Sequence, residues 1–495
     1  MSSACIFYPT SRKDAPSRGL KHAFNDARLS RRFEHLQSKM CECQTYVASG
    51  LSDSWSGQMA CYRFFNNARV SLGEVIGLCT EVSPDAVAGR NILALIDGTS
   101  VSLECKRKNA PRWVGMGVVE SNSTPGFFLY PSLLLDRDSG EVIGLGDVSL
   151  FTKPHSPSDP EENRKGRYQR RLLPFEQKSS SVWMLVAGNT QQSLSEAASV
   201  TYVMDRGADI YESLSGILGM GGCDLIVRAD SRRLASSKHN GKLEGIGSMV
   251  SRSPQAGIRK VKLRALCHRS KSSRKMVVRK AREAKLEIRY AKVYLSSALK
   301  KSSIKSPFWV VQARELASSP PFGEDPVEWT ILTSIPVESM EDACGILDSY
   351  CSRWWVEQLF RGLKKDGVDI ERIELENPEA IKKYTIMAMK ASVEALRLVA
   401  ARDGSDNAPA SEIFSGKECE VLESIGSNLE GGTEKLRNPH RQDSLAWAAW
   451  IIARLGGWKG YQSQRPPGPA TMSKGLEVFR NAVWMAGLMK DVYKP

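Results

Sequence analysis

The chain has 495 residues, 41% of them hydrophobic and 25% charged, with a formal net charge of +14. This composition excludes a disordered or fibrous protein, allows roughly two to four domains and favours a polyanionic partner. No apolar run approaches the ~20 residues that a membrane span needs, and the opening MSSACIFYPTSRKD lacks the order of a signal peptide. We therefore expect a cytoplasmic protein that does not bind a membrane.

Cysteine and histidine spacing argues against a zinc site. Eleven cysteines and six histidines are scattered along the chain. Cys41 and Cys43 form a lone CxC without a second pair at zinc spacing, and the histidines form no HExxH-like set. We expect reduced, mostly buried thiols.

The first predicted element is a basic helix within residues 1–75. In KHAFNDARLSRRFEHLQSKM the apolar residues recur at helical spacing, and Asn25 or Asp26 can cap the start. Arg28, Arg31 and Arg32 lie outside the apolar stripe. The pattern predicts a small helical DNA-binding domain over residues 1–75, although basic helices with other roles share it.

From about residue 90 the pattern changes to strands. NILALID is an apolar run that ends in Asp97, and GFFLYPSLLLDRDSGEVIGLGDVSLFTK predicts a hairpin around a turn at residues 136–140. SVTYVMD is a strand that ends in Asp205 and is followed by a predicted helix, RGADIYESLSGIL. CDLIVRAD is a further strand, which ends near Arg228.

Positive charge is concentrated in residues 251–305. This segment holds 18 Lys and Arg residues and two acids, Glu283 and Glu287. Within it, AKLEIRYAKVYL alternates apolar and polar residues as a half-buried strand does. We expect a twisted sheet with one basic face, for which a nucleic-acid backbone is the natural ligand; the alternative is a merely solvated basic surface.

The segment EWTILTS predicts a strand containing Trp329, and residues 341–365 predict one continuous helix. On such a helix Tyr350, Arg353, Glu357, Arg361 and Lys364 fall within an arc of about 80°, opposite an apolar stripe. The alternative is a solvated face with weak ion pairs between neighbouring turns.

The C-terminal part of the chain is predicted to be mainly helical. Residues 377–402 predict a helix capped by Asn377 with Pro378 in first position. Residues 403–440 are polar and include a linker or exposed loops, whereas SLAWAAWIIARLGG and GLEVFRNAVWMAGLMKDV predict two closing helices.

The order of these elements predicts a site with three carboxylates. Asp97 and Asp205 each end an apolar strand, and adjacent strands would bring the two side chains close together. Glu357, on a helix over the same sheet edge, would complete the set. Three neighbouring acids need cations, and Mg²⁺ or Mn²⁺ suits oxygen ligands. Two such ions can activate water or a 3′-hydroxyl at a phosphodiester.

The helical segment contains the pattern Y-x2-R-x3-E-x6-K, formed by Tyr350, Arg353, Glu357 and Lys364. This pattern resembles the signature of bacterial cut-and-paste DDE transposases of the insertion-sequence-four group, in particular the Tn-five type. IDGTS and MDRGADIYE resemble the family's motifs around its first and second Asp. Patches of similarity from about residue 20 to 490 also include YRFFNNARVS, EWTILTSIPVES and LAWAAWIIARLGG. Two departures from the motifs are Gly98 and Gly207, which stand where bulkier residues are common.

The resemblance implies an α/β protein: a ribonuclease-H-like catalytic core with a β-rich insertion, plus helical N- and C-terminal domains. It implies that Asp97, Asp205 and Glu357 are the catalytic acids and the ligands of two Mg²⁺ ions, for which Mn²⁺ can substitute. It also implies a set of residues that contact DNA at the transposon end: Tyr350, Arg353, Arg361, Lys364 and Arg228, with Trp329 stacking on a flipped base. For Trp329 and for Arg228, the alternative to a contact with DNA is a purely structural role.

The expected domains are residues 1–75, a catalytic domain over 76–400 with its basic insertion at about 235–335, and a helical dimerisation domain over 401–495. The implied partners are double-stranded DNA, as transposon ends and target, and a second copy of the chain in the synaptic complex. The implied location is the bacterial cytosol, associated with the nucleoid. Two alternatives are a DNA-binding protein that has lost catalysis and a metal nuclease that cuts without joining.

Overall fold

The structure is a computed structural model that describes most of the chain. The description leaves out residues 1–5, 9–19, 53, 104–115, 120–123, 154–164, 167, 170–171, 264, 270–275, 298–301, 322–323, 366, 405–407, 434–435, 462–463 and 493–495. The described residues form a mixed α/β protein.

Eighteen strands lie within the described ranges. They are β1 Ile6–Tyr8, β2 Asn91–Ile96, β3 Thr99–Ser102, β4 Gly117–Val119, β5 Thr124–Asp136, β6 Val142–Thr152, β7 Ser199–Met204, β8 Asp224–Arg228, β9 Leu234–Ala235, β10 Glu244–Gly245, β11 Gln255–Leu263, β12 Leu266–Arg269, β13 Met276–Arg279, β14 Arg282–Val293, β15 Ser296–Ser297, β16 Ser302–Ser303, β17 Phe308–Glu315 and β18 Glu328–Thr333.

The α-helices of the described ranges follow the same order. They are α1 Ala27–Cys43, α2 Trp55–Asn66, α3 Leu72–Cys79, α4 Pro84–Val87, α5 Val182–Gln191, α6 Tyr211–Gly219, α7 Ile246–Ser251, α8 Met340–Cys351, α9 Trp354–Lys364, α10 Pro378–Ala401, α11 Gly416–Leu429, α12 Leu445–Leu455 and α13 Pro469–Val492. Short 3₁₀ turns include Arg206–Ala208 and Ile370–Arg372.

The chain divides into two compact units. The first, here called the split unit, consists of Met1–Ser199 and Trp354–Pro495, and the second, here called the inserted unit, is Val200–Arg353. The three-domain division expected from the sequence stays a prediction.

In the split unit, the predicted hairpin is confirmed as the antiparallel pair of β5 and β6. The strand order is β1, β6, β5, β2, and β3 and β4 also pair with β5. The turn forms as its residues suggest, because Asp136 Oδ1 accepts hydrogen bonds from the backbone N–H groups of Asp138 and Ser139 at 2.8 and 3.2 Å. Gly140 supplies the positive φ, 74°, that the turn requires.

Helix α10 is the centre of the split unit. Its start is as predicted, since Asn377 accepts from the Glu379 N–H and Pro378 holds the first position. Helices α1, α2 and α3, strand β6 and helices α9, α12 and α13 all pack against it. Even Lys383 is buried there, and its ammonium donates to two carbonyls, of Phe65 and Asn67, at 3.1 Å each.

The predicted terminal helices are confirmed. Helix α1 begins after Asp26, which accepts from the Arg28 N–H and so is the cap. The two apolar segments near the end form α12 and α13. Residues 403–440, expected to contain loops, also hold helix α11, which packs against α12 and α13. Its capping box, Ser415 with Glu418, is a helix signal that the polar composition masks.

In the inserted unit, six strands follow the order β7, β8, β18, β17, β14, β11. The first two are parallel and the remaining neighbours antiparallel. Helix α8 packs on β8, β14, β17 and β18. Helix α7 packs on β14 and β17. The unit is therefore strand-rich, as the alternation in AKLEIRYAKVYL, residues 284–295, predicts.

The prediction of one continuous helix over residues 341–365 is wrong. Helix α8 ends at Cys351 and α9 begins at Trp354. At the break, the Arg353 N–H bonds to the Tyr350 carbonyl at 3.1 Å, a tighter i→i+3 turn, and the Ser352 hydroxyl donates to the Asp348 carbonyl at 3.4 Å. The break falls where the chain passes from one unit to the other, and each helix packs within its own unit. The row of five polar residues is therefore not one helical face.

Candidate functional site

Asp97 follows strand β2 directly, as predicted. The strand reads NILALI, and five of its six residues are buried, which is the pattern of a strand covered on both faces. Asp97 is 8% exposed, and its Oδ1 accepts a hydrogen bond from the Gly98 N–H at 2.8 Å. The carboxylate is thus held at a defined point at the end of a rigid strand.

The glycine at position 98, one of the two departures noted in the sequence, has a structural reason. A Cβ built at this position would lie 2.5 Å from Cε1 and Cζ of Tyr130. The Tyr130 ring is itself held, stacked on Phe151 at 5.7 Å and edge-on to Trp183 at 5.2 Å. The tyrosine therefore fills the space beside Asp97 that a side chain at position 98 would need. Sequence reasoning missed Tyr130.

Glu357 lies in the first turn of α9 and is half-buried. Helix α9 packs on β2 and on α10, with Val356, Leu359 and Leu363 buried beneath it. The split unit thus brings together the two elements that carry Asp97 and Glu357. Arg361, in the last turn of α9, is exposed.

Lys364, the last residue of the signature, makes contacts inside the protein. Its ammonium donates to the Ser100 carbonyl and lies 3.5 Å from Glu371 Oε1. The same Glu371 oxygen accepts from the Ser102 N–H at 3.0 Å. Sequence reasoning missed Glu371, because its partner Ser102 lies 269 positions earlier in the chain and no motif connects the two residues.

In the inserted unit, Asp205 follows β7 as predicted. Its Oδ1 accepts from the Gly207 N–H at 2.7 Å, so this carboxylate caps the 3₁₀ turn Arg206–Ala208. Strand β8 pairs with β7 in parallel, Val227 opposite Met204, so Arg228 and Asp205 leave the sheet at the same edge.

Tyr350 is the centre of a cluster in the inserted unit. The phenol is 5% exposed, and the Trp329 ring meets it edge-on with centroids 5.7 Å apart. The Arg353 guanidinium lies 5.9 Å from the Tyr350 ring centroid. Burial raises the pKa of Tyr350, the positive charges of Arg353 and Arg228 oppose that shift, and the charge of Asp205 adds to it.

This group of five residues, here called the Tyr350 cluster, contains Asp205, Arg228, Trp329, Tyr350 and Arg353. All five were singled out in the sequence, and the structure gathers them within one unit. Trp329 is half-buried and Thr330 to Thr333 are buried, so Trp329 lies at the accessible end of β18 rather than in the core. The accessible indole contacts Tyr350, near which two arginines and a carboxylate also lie. Such a group of side chains can stack on a nucleic-acid base and bind a phosphate.

Asp209, four residues after Asp205, is a buried ion-pair partner. Its side chain pairs with Arg233, whose guanidinium also donates to the Asp209 carbonyl at 2.9 Å. Burial raises the pKa of Asp209, and Arg233 opposes that shift. The pair fixes the loop after β8 against the turn after β7.

The predicted basic face is mixed in the part of residues 251–305 that the structure describes. Along β11 and β14, exposed Lys260 and Lys262 lie opposite Lys285 and Glu283. Several cations are paired with acids, such as Arg282 with Glu315 and Arg259 with Asp348. Further basic residues of the segment lie outside the described residues, namely Arg264, Lys271, Arg274, Lys275, Lys300 and Lys301.

Carboxylate oxygens are the donors that Mg²⁺ and Mn²⁺ prefer, so the chemistry of Asp97, Asp205 and Glu357 fits such ions. Asp97 and Glu357 stand on packed elements of one unit. Within the described ranges, no group of three or more His, Cys, Asp or Glu residues is arranged to hold a metal ion.

The chain matches none of the family models with which it was compared. Among the helices of the described ranges, none is both long enough and apolar enough to cross a membrane.

Proposed function

We propose that this protein is a DNA transposase with a ribonuclease-H-like core, which cuts the ends of a mobile element and joins its 3′ ends to target DNA. The observation that carries the proposal is the Tyr350 cluster. Two residues of the sequence signature, Tyr350 and Arg353, lie there with Asp205, Arg228 and Trp329, although these positions are up to 148 residues apart in the chain.

The strand arrangement supports the proposed core. A ribonuclease-H-like core requires an antiparallel meander and a parallel pair of strands, with acids at strand ends. Strands β2, β5 and β6 are antiparallel neighbours in that order, and Asp97 follows β2, the first of them. Strands β7 and β8 form a parallel pair, and Asp205 follows β7.

In the proposed mechanism Asp97, Asp205 and Glu357 hold Mg²⁺, with Mn²⁺ as a substitute. When bound, two such ions supply activation of the attacking oxygen and stabilisation of the leaving 3′-oxygen. The protein positions the substrate: Arg228, Arg353 and exposed Arg361 bind backbone phosphates. Tyr350 supports both Trp329 and Arg353, since both pack on its ring.

The reaction begins with hydrolysis at the element's end. Water attacks the phosphorus, the P–O3′ bond breaks, and the leaving oxygen takes a proton to become a 3′-hydroxyl. That hydroxyl then attacks a phosphorus of the opposite strand, the bond from this phosphorus to the 3′-oxygen of the flanking DNA breaks, and a hairpin closes on the element's end. A sharply bent end unstacks a base, and Trp329 can stack on it for about 1–3 kcal/mol. Water attacks the hairpin phosphodiester, and its P–O3′ bond breaks to give back the 3′-hydroxyl. This hydroxyl attacks a phosphorus of target DNA and displaces the 3′-oxygen of the target strand.

Two copies of the chain would pair two ends. Helix α13 supports this part of the proposal, since Val478, Trp484 and Met485 on it are between 39% and 53% exposed. Apolar side chains of this size are costly to leave in water and are common in interfaces between subunits.

The proposal is tested with DNA that flanks the coding sequence on either side, which should contain the recognised ends. Wild-type protein with Mg²⁺ should nick this DNA at one position per end. Glu357→Gln, which removes a charge and keeps the shape, should bind the same DNA and not cut it. Glu374→Gln, a change of an exposed acid two residues after the 3₁₀ turn Ile370–Arg372, is the matched control and should cut normally.

Two outcomes would contradict the proposal. Binding by the wild type without any cutting would favour a DNA-binding protein that has lost catalysis. Cutting without strand transfer into a second plasmid would favour a metal nuclease. Near-normal cutting by Glu357→Gln would remove this residue from the site.

A further inference from the structure

Strand β3 has two neighbours of different kinds. On one side it pairs with β5, Thr99 opposite Leu129 and Val101 opposite Phe127. In an antiparallel strand the carbonyl of one residue and the N–H of the residue two positions later point to the same side. The Ser100 carbonyl and the Ser102 N–H both bond to side chains, those of Lys364 and Glu371.

These two side chains take the place of a neighbouring strand. Lys364 donates to the Ser100 carbonyl, as a backbone N–H would, and Glu371 Oε1 accepts from the Ser102 N–H at 3.0 Å, as a backbone carbonyl would. The ammonium and the carboxylate lie 3.5 Å apart, so each also neutralises the other. Both side chains are about four-fifths buried, and charge-assisted bonds in such a place are stronger than neutral ones.

The position of β3 matters because only Asp97 and Gly98 separate it from β2. Lys364 is the last residue of α9, which carries Glu357, and Glu371 belongs to the 3₁₀ turn Ile370–Arg372, which contacts both α9 and β3. The Lys364 and Glu371 pair therefore ties the strand after Asp97 to the helix of Glu357. The Tyr130 ring packs against Gly98, in the two-residue connection between β2 and β3.

We infer that Glu371 is a positioning residue for the proposed reaction. Together with Lys364 it holds strand β3, and so keeps Asp97 in a fixed position relative to Glu357. The inference rests on the proposed function for its catalytic consequence. Its structural part, the ordering of β3 by these two side chains, is independent of what the protein does.

The test uses four variants of the full chain: Glu371→Ala, Glu371→Gln, Lys364→Met and the double change of Lys364→Met with Glu371→Ala. The first readout is hydrogen exchange, by mass spectrometry, of peptides covering residues 97–103. Glu371→Ala should speed exchange there by about tenfold, the usual effect of losing one hydrogen bond to a charged group. Glu371→Gln keeps an acceptor for the Ser102 N–H and should recover part of the protection.

The second readout is first-strand nicking as a function of Mg²⁺ concentration. Glu371→Ala should raise the Mg²⁺ concentration for half-maximal rate by about tenfold, with end-DNA affinity within about twofold of wild type. Because the pair acts as a unit, the double variant should be no worse than the poorer single variant. Glu374→Gln, an exposed acid three residues on, should leave both readouts unchanged.

Unchanged exchange over residues 97–103 in Glu371→Ala would overturn the inference. So would additive effects of the two single changes, because Lys364 would then act independently of Glu371, for example on DNA alone. A melting curve for each variant separates local loosening from global unfolding. Glu371→Gln changes the side chain least, so it is the variant that should destabilise the fold least. If the wild type cuts no DNA, the proposed function fails, while the exchange readout still decides the role of Glu371.

Discussion

The contact between Gly98 and Tyr130 predicts that Gly98→Ala destabilises the split unit. The new methyl carbon would lie 2.5 Å from two ring carbons, whereas unstrained carbon contacts are about 3.5–4.0 Å. The ring would have to move by roughly 1 Å against Phe151 and Trp183, which hold it. Overpacking of this kind costs about 1–3 kcal/mol.

Urea unfolding, followed by circular dichroism, measures this cost. Gly77→Ala is the matched control, because it lies within helix α3 and its new Cβ would meet no atom within 4 Å. That change should stabilise the protein by about 0.5–1 kcal/mol. The two alanines therefore should act in opposite directions.

A double variant separates crowding from other effects of Gly98→Ala. Removing the ring by Tyr130→Ala should make the alanine at position 98 nearly harmless, so the double variant should be more stable than the sum of the two single changes predicts. Additive effects, or a Gly98→Ala variant as stable as the wild type, would refute the packing argument. DNA nicking should fall in Gly98→Ala, since Asp97 is the adjacent residue.

Three further predictions concern the inserted unit. Trp329→Ala should leave first-strand nicking within a few-fold of wild type and slow hairpin formation by roughly 10- to 100-fold, with partial recovery in Trp329→Phe; an equal loss in both steps would make Trp329 a folding residue. Arg233→Met should cost about 3–5 kcal/mol in urea unfolding, because it leaves Asp209 buried without its cation. Burial raises the pKa of Asp209, so the folded variant binds a proton more tightly than the unfolded chain, and its stability deficit should shrink as the pH is lowered towards the ordinary pKa of an aspartate; a deficit independent of pH would contradict this. Neutralising exposed Lys262 and Lys280 should lower the log–log salt slope of DNA binding by about 0.9 per lost phosphate contact, and an unchanged slope would assign these charges another role.

Local patterns in the sequence predict the elements that carry the acids. Apolar runs that end in aspartate, NILALID and SVTYVMD, are strands β2 and β7, and the turn residues at 136–140 are a hairpin turn. These features depend on neighbouring residues, which is why periodicity and turn chemistry are sufficient to find them.

The helix break at Ser352 and Arg353 could not be predicted in this way. The periodicity of residues 341–365 is helical on both sides, and the break depends on α8 and α9 each packing within a different unit. Tertiary packing here overrides local propensity. The polar row from Tyr350 to Lys364 therefore does not share one helical face, and the role of its residues stays a prediction.

The supporting residues of the candidate site were also beyond sequence reasoning. Tyr130 meets Gly98 across the sheet, and Glu371 meets Ser102 from 269 positions away. Neither belongs to a motif, and each acts by filling space or by bonding to a backbone group. Such roles become visible only when the chain is folded.

Excision of a marked DNA segment tests the proposed function most directly. A plasmid carries the segment between the two stretches of DNA that flank the coding sequence, and purified protein is added with Mg²⁺. If the chain is a transposase, the segment is released by cuts at both ends, hairpin ends appear before the open product, and the freed 3′ ends become joined to a second plasmid. A plasmid that is bound under these conditions and stays uncut, or one that is cut while its ends are never joined, would contradict the proposal.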